Sequence, residues 1–198
     1  MERFIMIKLR TPVDEKEIRK LKVGDAVLIS GQIVTARDQA HKLMVEKRPE
    51  FIRKYLKNSI IYHCGPVVKK DENGKWSFVS AGPTTSSREE PYQGDVIAEY
   101  SVRGVIGKGG MGKKTLDALK KYGAVYFQAV GGAGALIAKC VKNVSDVFML
   151  EEFGTPEAFW IIEVEEFPVV VTMDSNGQSL HDIIQAESRA KAEALINS

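Results

Sequence analysis

Histidine and cysteine are the scarce residues of this 198-residue chain, present in three and two copies. His41, His63 and His181 share no ligand spacing and have no cysteine or acidic cluster beside them, which argues against a metal site. Cys64 and Cys140 stand far apart with no CxxC pair, so they read as buried free thiols in a reducing compartment, not as a disulfide. No apolar run reaches the roughly 20 residues that cross a bilayer. The N-terminal stretch MERFIMIKLRTPVDEKEI has too many charges and too short an apolar core for a secretory signal. A formal net charge of +2, without a basic stripe interleaved with aromatics, excludes a nucleic-acid surface. The expectation is a cytoplasmic protein with no membrane and no nucleic acid among its partners. Its 44% hydrophobic and 27% charged residues suit a globular chain, and the length suits one domain over residues 1–198.

Periodicity gives a mixed α/β fold. Strands are expected at Phe4–Leu9, at Asp25–Val34 (two strands, or one bulged at Gly31), at Ile60–Cys64 and at Ala124–Val130. Val147–Leu150, Trp160–Glu165 and Val169–Asp174 read as further strands, with Pro168 separating the last two. Val67–Val79 reads as a hairpin turned at Asn73-Gly74. Helices are expected at Val13–Leu21, from Ala36 to Pro49, at Phe51–Lys57, from Met111 to Gly123, at Ala135–Val141 and at Ser179–Leu195. Ala81–Gly94 is polar and aperiodic, and is expected to be a functional loop.

Three polar clusters stand out: Thr35-Ala36-Arg37-Asp38-Gln39-Ala40-His41, Gly82-Pro83-Thr84-Thr85-Ser86-Ser87-Arg88 and Gly107-Lys108-Gly109-Gly110. Two guanidiniums, one ammonium and several hydroxyls suit a small polyanion such as a dicarboxylate. There is no cysteine triad, histidine cluster or obvious catalytic dyad to go with them, which is the composition of half an active site. Gly107–Thr115 nearly matches a phosphate-binding loop, GxxxxGK[ST]. Lys114, however, stands where Ser or Thr must hold magnesium, and Thr115 is displaced by roughly 100° around a helix. A glycine-rich turn before a helix could still receive an anion on its free N–H groups. Gly131-Gly132-Ala133-Gly134 lacks the third glycine of a dinucleotide fingerprint and reads as a packing turn. His41, at i,i+4 from Arg37, reads equally as an anion neighbour or as a structural residue.

At these clusters the sequence resembles the β subunit (the C-terminal domain of fused forms) of the class I, iron–sulfur-dependent fumarate hydratase and tartrate dehydratase family. The resemblance runs through Gly24–Gly31, Thr35–His41, Tyr62-His63-Cys64-Gly65-Pro66, Gly82–Thr85, Arg88, Gly107–Met111, Gly131-Gly132-Ala133 and Glu163–Pro168. It implies a swivelling β/β/α domain and reversible hydration of a dicarboxylate double bond, fumarate to malate or the corresponding tartrate or methyl-substituted reaction. It further implies a hetero-oligomer in which an α subunit, not this chain, carries a [4Fe–4S] cluster; Cys64 and Cys140 match no cluster position. By position, Thr84 is implied as the catalytic base, Arg37 and Arg88 as carboxylate binders, and Lys108 as a substrate contact with a part in catalysis. Thr84 is preferred to Thr85 because its distance to Arg88 matches. After Arg88 the chain reads Glu89-Glu90-Pro91-Tyr92, where many relatives have Met followed by an acidic residue. Phe153–Ala158 also departs slightly from the family pattern.

Overall fold

The computed structural model describes residues 6–196. In chain order the elements are β1 (Ile7–Arg10), α1 (Glu15–Ile18), β2 (Ala26–Thr35), α2 (Asp38–Lys47), α3 (Glu50–Leu56) and β3 (Ile60–Tyr62). The hairpin β4 (Val67–Lys70) and β5 (Trp76–Ser80) follows, then a 3-10 turn (Ser86–Arg88), α4 (Glu90–Tyr100), β6 (Gly104–Gly107), α5 (Lys113–Tyr122) and β7 (Val125–Gln128). The chain ends with α6 (Gly134–Ala138), β8 (Val141–Phe148), α7 (Leu150–Phe153), β9 (Phe159–Met173) and α8 (Leu180–Ile196).

Seven strands form one mixed sheet, and part of it closes on itself. β2, β3, β6 and β7 pair in parallel in that order, while β9 runs antiparallel to both β7 and β2. Closure is possible because β9 is 15 residues long. Its last residues pair with β7, its first half pairs with β8, and its other edge takes β2 along its length.

The parallel strands read as continuous apolar runs because both of their faces are covered. Ile60, Ile106 and Phe127 enter one core, whereas their chain neighbours Ile61, Val105 and Tyr126 enter a second one. This alternation is the two-residue period of a strand. The second core lies under α2, α3, α4 and α5, through Met44, Ile52, Leu56, Ile97, Tyr100 and Leu119. The first is filled by Trp160 and Phe167 of β9 and by α1 and α6 residues Ile18 and Ile137. The β4–β5 hairpin clips onto it by setting Trp76 and Phe78 edge-on to Trp160, at centroid distances of 5.3 and 5.9 Å. Such aromatic pairs add about 0.5–1.5 kcal/mol beyond area burial.

Several expectations need correction: the helix expected at Ala135–Val141 stops at Ala138, and the strand expected at Val147–Leu150 is the end of β8, which starts at Val141 and stops before Leu150 opens α7. Ala81–Gly94 is not a loop throughout: it gives way to the 3-10 turn and then α4, which buries Gln93, Gly94, Val96, Ile97 and Tyr100. Glu90-Pro91 was the helix-start signal there, since proline needs no N–H partner in the first turn. β6 was missed because four residues of Gly-Val-Ile-Gly carry too little pattern. Pro168 does not divide β9 either. The ladder to β2 is already broken by a bulge, where the register jumps between Ile29 and Gly31, Glu166 adopts φ 49° and its N–H donates to Ser30 Oγ. A proline beside a bulge removes little that pairing required. Asp25–Val34 is one bulged strand, of the two options expected. The first strand holds from Ile7 onward; Phe4 and Ile5 lie outside the described residues.

Candidate functional site

Sites in open α/β sheets gather at the carboxyl ends of parallel strands, because there the backbone leaves the sheet and side chains are free to converge. Here four such ends, from β2, β3, β6 and β7, lie side by side. Arg37 follows β2, His63-Cys64-Gly65 follows β3, Lys108 follows β6, and Gly131 lies just beyond β7.

The Gly82–Arg88 segment is stitched into this rim. Pro83 bridges Cys64, and Thr85 bridges Lys108. Thr84 N–H donates to the His63 carbonyl at 2.8 Å, Lys108 N–H to the Thr84 carbonyl at 3.2 Å, and Ser86 N–H to the Lys108 carbonyl at 3.1 Å. Thr84 and Lys108 are therefore direct neighbours. The Thr84 hydroxyl also donates to the His63 carbonyl, at 3.1 Å. The Lys108 stem passes Gly131, and its ammonium has no hydrogen bond or ion pair among the described residues.

The two arginines lie on adjoining segments of the rim. Arg88 grips Asp38 with both Nε (3.2 Å) and Nη2 (2.5 Å), the fork geometry that guanidinium offers a carboxylate. Arg37 precedes Asp38 and lies against the β3 exit so closely that a Cβ on Gly65 would come 2.4 Å from its Nη1. Its Nε is buried without a hydrogen bond and only 3.4 Å from Glu157 Oε1, a loose ion pair. Arg37 is thus linked to Thr84 through Gly65, Cys64 and Pro83. An open depression lined by Asp38, Gln39, Lys42, Arg88, Tyr92 and Glu157 sits outside the arginines; Thr84 and Lys108 do not line it.

Beneath the rim runs a buried polar chain that sequence reasoning did not find. Gln93 Oε1 lies 2.9 Å from His41 Nε2 and 2.8 Å from His63 Nε2. His41 Nδ1 is 2.8 Å from the Arg37 carbonyl and must donate to it. Two neutral rings then require the Gln93 amide to turn its NH2 to this side, giving one hydrogen to each Nε2. Neutrality is what burial enforces: it lowers the pKa of His41, and of His63 well below the ordinary imidazole value, helped there by His41. His63 Nδ1 in turn donates to Ser86 Oγ at 2.8 Å, which also accepts from the Tyr126 hydroxyl at 2.9 Å. His41 is accordingly a structural residue, one of the two roles expected. Ser86 was one hydroxyl among several in a polar cluster, and no motif set Gln93 or Tyr126 apart, so the sequence could not show that these three side chains meet.

The glycine-rich turn before α5 has a different fate. Glu90 places Oε2 2.8 Å from Gly112 N–H and 2.7 Å from Thr115 Oγ1, and Oε1 3.1 Å from Thr115 N–H. An internal carboxylate occupies the position where an outside anion was expected, satisfying the helix's free donors. Lys113 and Lys114 pair outward with Asp117 and Asp95. The Gly131–Gly134 turn packs as expected, with Gly134 seated on the backbone of Gly82. Cys64 and Cys140 are free thiols, Cys64 buried and Cys140 half-buried, and burial pushes Cys64 up to about 12. Among the described residues no group of three or more His, Cys, Asp or Glu could hold a metal ion, and no helix is long and apolar enough to cross a membrane.

Arg37, Thr84, Arg88 and Lys108 thus lie on connected segments at the ends of the parallel strands, in an α/β domain whose family can be recognised. The family model for the fumarase C-terminus matches residues 1–184, and the chain belongs to that family. It is 52% identical over 186 residues to a Geobacillus stearothermophilus protein named as a class I fumarate hydratase, covering 94% of this chain and 35% of that one. It is 44% identical over 185 residues to a Methanocaldococcus jannaschii protein named as an L(+)-tartrate dehydratase subunit beta, covering 92% of this chain and 94% of that one. The L(+)-tartrate dehydratase subunit beta of Escherichia coli K12 is 37% identical over 174 residues, covering 87% and 85%. The chain therefore spans about a third of the Geobacillus protein, but most of each separate β subunit.

Proposed function

We propose that this chain is the β subunit of a hydro-lyase that interconverts fumarate and malate, working with an α subunit that carries a [4Fe–4S] cluster. The observation behind the reading is the rim itself: Thr84 and Lys108 in one hydrogen-bonded ladder, with Arg37 and Arg88 on adjoining segments. The family membership and the β-subunit names of its relatives support it.

Dehydration removes a proton next to a carboxylate, so negative charge builds on that carboxylate as the proton leaves. Arg37 and Arg88 would hold the two carboxylates at fixed points and so choose the face that reacts. Arg88 would exchange Asp38 for substrate, and Arg37 already has a free Nε donor. Lys108, unpaired among the described residues, would stabilise the extra charge. Thr84 would accept the proton. Its own hydrogen points at the His63 carbonyl, which cannot take it, so the hydroxyl needs a base from the α subunit. A cluster bound on that subunit would supply a Lewis-acid iron for the departing hydroxide.

The test is reconstitution of this chain with its α-type partner under anaerobic conditions, assayed on malate and on tartrate. Turnover of malate by the pair, and none by this chain alone, is expected. Hydration of fumarate by the chain alone in iron-free buffer would refute the reading, and faster turnover of tartrate would transfer it to that substrate.

A further inference from the structure

Glu89 is the next residue after Arg88, and it turns inward where Arg88 turns out. Its side chain is 1% exposed, and neither carboxyl oxygen has a hydrogen-bond partner among the described residues. The groups facing it come from several elements. His63, at the end of β3, brings Nδ1 to 3.9 Å from Oε2, and that nitrogen already donates to Ser86. Asp38 of α2, Arg37 before it, Arg88 alongside and Tyr126 of β7 all act on it electrostatically. A buried carboxylate with no donor is far more costly than a buried carboxylic acid. The His63 ring cannot serve as a counter-ion, because burial keeps it neutral.

Resting on the hydro-lyase reading, we propose that Glu89 is a positioning residue that must be uncharged for the arginines to take a dicarboxylate. Protonated, it leaves Arg37 and Arg88 their full positive field. Ionised, it adds a further negative charge beside Asp38 and the incoming substrate, and draws on the same guanidiniums.

The direction of its titration agrees. Burial pushes the Glu89 pKa up to about 7 and Asp38 adds to the rise, opposed by its own backbone N–H and then by Arg88 and Arg37. Burial holds His41 and His63 below the ordinary imidazole value and pushes Cys64 up to about 12. The substrate carboxylates, with ordinary values near 4, are ionised between about pH 6 and 8.5.

The experiment uses the reconstituted pair, wild type against Glu89→Gln, with Glu89→Met as a second uncharged variant should the first fold poorly. KM for malate in the wild type should rise about fivefold to tenfold from pH 6 to 8.5, as one added charge at this range allows. In Glu89→Gln it should stay at the low-pH value, with kcat nearly unchanged. Calorimetric titration with succinate, which cannot be dehydrated, gives an independent readout. Near pH 8 the wild type should take up protons on binding, and Glu89→Gln should not. Equal pH slopes and equal proton uptake in the two proteins would overturn the role of Glu89 alone. An unaltered pair that neither turns over malate nor binds succinate would overturn the functional reading on which it rests.

Discussion

Two stretches of this rim lie only a few residues apart and have opposite characters. At the entrance to α5, the N–H groups of Gly112 and Thr115 and the Thr115 hydroxyl are all satisfied by Glu90. Around Thr84 and Lys108, the Lys108 ammonium, Arg37 Nε and both oxygens of Glu89 lack hydrogen-bond partners among the described residues. Both are rich in glycine and charge, and by sequence either could receive an anion. Satisfaction of buried polar groups separates them: a protein leaves such groups unpaired rarely, and a cluster of them marks where something else is meant to bind.

The contrast can be broken most severely at Thr84. Thr84→Val keeps the shape and removes the hydroxyl, so the reconstituted pair should lose about 10²–10⁴-fold in kcat, the usual contribution of a positioned base. Retention of more than a tenth of the activity in a steady-state assay would place the base elsewhere. Next comes the cationic frame: Lys108→Ala and Arg88→Ala should each cost roughly 10²–10³ in kcat/KM, typical of removing one charge-stabilising donor, with an unchanged circular dichroism spectrum. The capped turn should behave in the reverse way. Glu90→Ala should lower stability by about 1 kcal/mol, as loss of a helix cap does, while kcat/KM stays within a factor of three. Chemical denaturation and turnover on the same sample decide whether that separation holds.

A smaller effect concerns pH and stability. Glu89 has a raised pKa in the fold, so the folded chain binds more protons than the unfolded one between about 4.5 and 7. Stability should therefore fall as pH rises through that window, by at most about 1.4 kcal/mol per unit, and level off above it. Denaturation midpoints of Glu89→Gln should lack this slope. Smallest of all is Lys113→Ala. Its pair with Asp117 is solvent-exposed and worth about 0–0.5 kcal/mol, and magnesium-ATP should bind neither form measurably.

The strands and helices that alternate strongly were legible in the sequence. Asn73-Gly74 marked the hairpin turn, taken up in the structure by a φ of 80° at Gly74, and Gly123 marked the end of α5 with a left-handed cap. What escaped was whatever depends on contacts distant in sequence. The closure of β9 onto both β2 and β7 depends on pairing with strands distant in sequence, which one chain segment cannot announce. α4 was hidden because it buries Gln93 and Gly94 among its apolar residues, and so shows little amphipathic contrast. The candidate residues Arg37, Thr84, Arg88 and Lys108 could be named from motif order. Gln93, which ties His41 to His63, and Glu89, which sits unpaired beneath the arginines, became visible only once the strand ends were side by side.

Gly65 offers a practical handle on all of this. Because Arg37 rests on its bare α-carbon, a single added methyl group would push the guanidinium aside while deleting no functional group from the protein. Gly65→Ala is thus a chemically silent lesion. It should give a subunit that still assembles and still owns every catalytic atom, yet has lost its grip on one end of the metabolite.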